Sequence, residues 1–63
     1  MATIEEKIKS VRELKNLTQE YMAEKLGITQ AGYSKIESGA TKISYNKIVD
    51  ISKILGVQTE ELL

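Results

Sequence analysis

Cysteine, histidine, proline, tryptophan and phenylalanine are all missing from this chain. Without cysteine or histidine, neither a disulfide nor a zinc site can brace the fold. One domain over residues 1–63 is expected, with a single small core. Core packing at that size leaves only about 3–5 kcal/mol of net stability, so well-made helix caps have to contribute. The same absences remove the usual general bases and nucleophile pairs. Neighbouring acids such as Glu5 and Glu6, or Glu60 and Glu61, point in different directions on a helix and read as solvated charge. No enzyme, catalytic residue, metal or cofactor is expected. Long hydrophobic runs are lacking too, the longest being the three residues Tyr21-Met22-Ala23. No membrane-spanning helix or signal peptide is therefore expected, and a cytoplasmic protein is.

An excess of charge is also missing, with nine basic and nine acidic residues. Nucleic-acid binders are usually basic, because neutralised phosphates supply most of their non-specific affinity. Distribution matters more than the sum. Between Gly27 and Val49 stand Lys35, Lys42 and Lys47 against Glu37 alone. Glu5, Glu6, Glu13, Glu20, Glu24, Glu60 and Glu61 all lie outside that stretch. A dipolar molecule with one modestly positive face is expected, binding weakly as a monomer.

What is present is a dense series of helix starts and stops. Thr18 can cap a helix with its hydroxyl, stapled by Leu17 and Met22, over about residues 18–26. Gly27 supplies the left-handed residue that ends it. Thr29 can cap the next helix, about 30–38, stapled by Ile28 and Tyr33 and closed by Gly39. Two helices joined by a turn of about three residues with glycine in it form a helix-turn-helix. On the second helix, Ala31, Ser34 and Lys35 fall within about 140° of Gln30, while Tyr33 and Ile36 face the other way. An amide, a methyl, a hydroxyl and an ammonium on one face suit the base edges and phosphates of a DNA major groove. Plain solvent exposure would produce a polar face as well, so the motif around it has to decide.

The remaining segments follow the same grammar. Thr3 and Glu6 form a capping box that opens a first helix, with Ile4, Ile8, Val11 and Leu14 as its inward stripe. Asn16, a residue type that tolerates the left-handed conformation, should end it. Residues 40–43 read as a polar loop. Ser44 caps a fourth helix lined by Ile48, Ile51 and Leu55, and Gly56 stops it. A fifth helix of one turn is expected over about 58–62, its cap open between Gln58 and Thr59.

The residues from Ile8 to Leu62 resemble the Cro and phage-repressor-like (XRE-type) helix-turn-helix family of small DNA-binding regulators. Arg12, Leu17-Thr18-Gln19-Glu20, Met22-Ala23, Leu26-Gly27-Ile28, Gln30 and Ser34-Lys35-Ile36-Glu37-Ser38-Gly39 carry the resemblance, with Ile48, Ile51, Leu55-Gly56-Val57 and Leu62 beyond them. Tyr33, where the family usually has a branched aliphatic, and the helical Gly32 depart from the pattern.

The resemblance implies an all-α, compact five-helix bundle of the lambda-repressor-like type. It also implies a transcriptional regulator that binds double-stranded DNA as a homodimer on a near-palindromic operator. Gln30, Ala31, Ser34 and Lys35 are then candidates for base contact. Gln19, Ser38, Thr41 and Lys42 are candidates for phosphate contact, with simple exposure as the competing reading for each. Arg12 and Glu37 are implied to form an ion pair that ties helix one to the recognition helix. Tyr33 is expected in the core with its hydroxyl at the surface, and Tyr21 and Tyr45 half-exposed. Val57, Leu62 and Leu63 are candidate dimer contacts. The alternative function is a protein-interaction module, such as the antitoxin of a toxin–antitoxin pair.

Overall fold

Each of the four α-helices starts at a hydroxyl. In the computed structural model, which describes residues 2–63, these are α1 (Ile4–Leu14), α2 (Gln19–Leu26), α3 (Gln30–Ser38) and α4 (Tyr45–Leu55). Thr3, Thr18, Thr29 and Ser44 accept hydrogen bonds from the backbone N–H groups of Glu6, Tyr21, Gly32 and Lys47 at 3.1, 2.9, 3.1 and 3.2 Å. Each such cap contributes about 1 kcal/mol, a large share of what a domain this small can muster. Glu6 completes the first capping box by accepting from Thr3 N–H at 2.9 Å. The stops are equally local: Asn16 takes a φ of 57°, and glycines 27, 39 and 56 end α2, α3 and α4 in the left-handed region.

The core is built from Ile8 of α1, Met22 and Ala23 of α2, Tyr33 and Ile36 of α3, Ile48, Ile51 and Leu55 of α4, and Leu62. α3 packs on α1 and α2, and α4 closes against α1 and α2 from another side. Ala23 of α2 is buried in this core, 3% exposed. Gly32 sits inside α3 where an added Cβ would lie 3.2 Å from the capping Thr29 hydroxyl. Tightness at the cap thus opposes the gain of about 1 kcal/mol in helix propensity that alanine would bring.

Three expectations need correction. The fifth element is a single 3-10 turn, Thr59–Glu61, so the described residues hold four α-helices rather than five. Its bonds, Glu61 N–H to Gln58 carbonyl and Leu62 N–H to Thr59 carbonyl at 3.0 and 2.9 Å, join residues three apart. One turn is too short to offset the cost of nucleating an α-helix, and short pieces take the tighter form. The Glu61 carboxylate accepts from Gln58 N–H at 2.8 Å, which places the cap at Gln58.

Leu14 is not part of the inward stripe; it is 82% exposed. The buried face of α1 centres on Ile8, about 40° from Arg12 and about 120° from Leu14 on the wheel. Burying Arg12 to meet Glu37 therefore turns Leu14 outward. Leu62, expected at a dimer surface, is fully buried. A hydrogen bond between Ser52 Oγ and Thr59 Oγ1 at 2.9 Å holds the terminal turn against α4 and brings Leu62 into the core.

Candidate nucleic-acid interface

The link between α2 and α3 is the three-residue turn 27–29. Gly27 N–H donates to the Glu24 carbonyl and Ile28 N–H to the Ala23 carbonyl, closing α2, and Thr29 opens α3 at once. This arrangement buries one face of α3 and leaves the other outside. Tyr33, Ile36 and Glu37 are buried, whereas Gln30, Ala31 and Lys35 are exposed and Ser34 is half-buried. The four residues expected to meet base edges therefore form one outward row.

The phosphate candidates divide. Thr41 and Lys42 are exposed in the loop after α3. Ser38 is exposed, but its hydroxyl donates to the Lys35 carbonyl at 3.1 Å and accepts weakly from Ala40 N–H, so it closes the end of α3. Gln19 is half-buried at the start of α2, and its amide donates to Glu37 Oε1 at 3.2 Å. Sequence reasoning did not foresee that bond. It links residues 18 apart across two helices, and no periodicity connects such a pair.

Glu37 is the centre of this region. Arg12 Nε donates to its Oε2 at 2.6 Å and Nη2 to its Oε1 at 3.2 Å, a side-on pair with both side chains nearly buried. Arg12 Nη1 also donates to the Leu17 carbonyl at 2.7 Å. Burial by itself pushes the Glu37 carboxyl pKa up. The hydrogen bonds from Arg12, with one from Gln19, outweigh this and leave it below the usual value. The Arg12 guanidinium is held more firmly protonated by the same contact with Glu37.

Tyr33 is in the core, but its hydroxyl does not reach the surface as expected. The side chain is fully buried, and Oη lacks a partner with hydrogen-bond geometry. Burial, together with the nearby Glu37 carboxylate, pushes the phenol pKa well up. A tyrosine is longer than the usual aliphatic at this position, and its tip ends beside the ion pair. Of the other tyrosines, Tyr21 is 38% exposed with the Lys25 ammonium 5.5 Å from its ring centre, and Tyr45 is 61% exposed.

A helix-turn-helix family model matches residues 8–62, which is nearly the whole chain. The chain belongs to the Cro and phage-repressor-like (XRE-type) helix-turn-helix family. It is 43% identical over 58 residues to the uncharacterized HTH-type transcriptional regulator YqaE of Bacillus subtilis, a match covering 92% of this chain and 50% of that protein. The SPbeta prophage-derived regulator YonR of Bacillus subtilis is 41% identical over 58 residues, covering 92% of this chain and 54% of YonR. The HTH-type transcriptional activator BcrR of Enterococcus faecalis is also 41% identical over 58 residues, covering 92% of this chain and 28% of BcrR. The chain thus spans about half the length of the first two relatives. No solved structure gives a significant match. Among the described residues, no helix is long and apolar enough to cross a membrane.

Proposed function

We propose that this chain is the sequence-specific DNA-binding domain of a transcriptional regulator, with α3 in the major groove and the start of α2 against the backbone. The observation that carries this is the outward row Gln30, Ala31, Ser34 and Lys35 on a helix whose other side places Tyr33 and Ile36 in the core. The Gln30 amide suits an adenine edge, the Lys35 ammonium a guanine edge or a phosphate, and the Ala31 methyl a thymine methyl. Lys42 and Thr41, exposed beyond α3, suit phosphates, as do the N–H groups at the start of α2 beside Gln19. Relatives named as transcriptional regulators support the reading.

The proposal includes a homodimer on a near-palindromic operator whose half-sites lie about 34 Å apart, the spacing that sets two recognition helices on one side of the duplex. With Leu62 in the core, Leu63 at 49% exposure and the half-buried Val57 remain as the apolar contribution to that contact. Selection of bound sites from random duplex DNA tests the proposal. Enrichment of an inverted repeat supports it, and a pool that stays random after repeated rounds contradicts it.

A further inference from the structure

The Glu37 carboxylate is held from two directions. Arg12 reaches both of its oxygens from α1, and Gln19, the first residue of α2, reaches Oε1. Arg12 also holds the Leu17 carbonyl, just ahead of the Thr18 cap. The start of α2 is therefore clamped to one buried pair on each side of its cap, by the Leu17 carbonyl before it and the Gln19 amide after it. At its other end α2 is tied to α3 by the turn 27–29. Two attachments fix a helix direction where one would leave it to pivot.

We propose that Gln19 is a positioning residue of the DNA interface: through Glu37 it fixes the start of α2 relative to α3. It thereby sets the spacing between the phosphate that α2 meets and the base pairs that α3 reads. This rests on the function proposed above. The backbone N–H groups of Gln19 and Glu20 belong to the set that a helix start leaves without intrahelical partners, and the Thr18 hydroxyl takes only that of Tyr21. A phosphate held by them lies where Gln19 puts them. A side-chain amide has two hydrogens, and one of them already serves Glu37.

The variant Gln19→Glu tests this. It sets a second carboxylate against Glu37, whose other charged and titratable neighbours are Arg12, Glu13 through Arg12 at 3.9 Å, and the Tyr33 phenol. At about pH 8 the variant should bind the selected duplex about tenfold more weakly than the wild type, because like charges share one guanidinium. As the pH falls to about 5, one carboxyl takes up a proton and can donate the hydrogen bond that the amide donated. Affinity should then return to within about threefold of the wild type, and the melting temperature of the free variant should rise over the same range. The wild type should be nearly flat in both.

A variant whose affinity titrates while its free melting temperature does not would be facing phosphate alone, which overturns the inference and leaves the reading of α3 standing. A melting temperature that titrates without the affinity overturns it as well. Should the variant fail to fold at pH 8, Gln19→Met keeps the length and removes the amide. It should bind several-fold more weakly with little change in melting temperature, and full affinity would overturn the inference. A wild-type chain that binds no selected duplex contradicts the proposed function and this inference together.

Discussion

Arg12 and Glu37 meet side-on, Nε to Oε2 at 2.6 Å and Nη2 to Oε1 at 3.2 Å, across 25 residues of sequence. The contact joins α1 to α3 and leaves only 10% and 3% of the two side chains exposed. A buried pair of this kind adds little net stability, but removing one partner strands the other charge.

Arg12→Ala should therefore destabilise the domain by about 3 kcal/mol in chemical denaturation at neutral pH. Adding Glu37→Ala should recover part of the loss, and strictly additive effects would contradict the pairing. In the wild type, the depressed Glu37 pKa contributes stability that is present above the ordinary carboxyl value of 4.5 and lost as the pH falls through the folded value. In Arg12→Ala the stranded carboxyl, its pKa raised by burial, takes up a proton earlier. The stability gap between the two proteins should narrow on acidification, beginning above pH 4.5.

Tyr33→Phe removes a fully buried hydroxyl that has no hydrogen-bond partner. An unsatisfied buried group costs about 1–3 kcal/mol, so the phenylalanine variant should be more stable by about 1 kcal/mol. In a domain of this size that raises the melting temperature by about 4–8 °C. A lower melting temperature would show that the hydroxyl is bonded to Glu37 in solution.

Lys42→Ala should weaken binding to all duplexes about equally. If the Lys42 ammonium neutralises one phosphate, the slope of log affinity against log salt should flatten by about 0.9 in the variant. An unchanged slope would remove Lys42 from the interface.

The free domain should be mainly monomeric at micromolar concentration and dimerise on DNA. With Leu62 inside the core, only Leu63 and the half-buried Val57 are left of the expected contact, and two side chains are too few to build the ~1,200 Å² that a stable interface buries. On an operator, two half-sites raise the effective concentration of the protomers. Sedimentation of the free chain tests this, and a tight dimer without DNA would contradict it.

What was legible in the sequence was local. Thr3 with Glu6, Thr18, Thr29 and Ser44 name the helix starts because each cap reaches only three residues ahead. Asn16, Gly27, Gly39 and Gly56 name the stops by the left-handed backbone they permit. The outward row on α3 follows from its period once Tyr33 and Ile36 are assigned to the core. What was not legible depends on how a helix is rolled about its own axis. Burying Arg12 exposes Leu14, and no stripe of apolar residues signals that roll, because a charged residue drives it. Leu62 is drawn inside by a bond between Ser52 and Thr59, and Gln19 turns inward to Glu37, both through interactions that no repeat encodes.

The central claim is that the outward row of α3 reads base pairs, and Gln30 is its most direct test. The measurement is the affinity of Gln30→Ala for the selected duplex and for each single base-pair variant of a half-site, compared with the wild type. Gln30→Ala should lose about 1–3 kcal/mol on the selected duplex, with relaxed preference at one base pair per half-site and nearly unchanged thermal stability. A uniform loss across all duplexes, with every base preference kept, would contradict it.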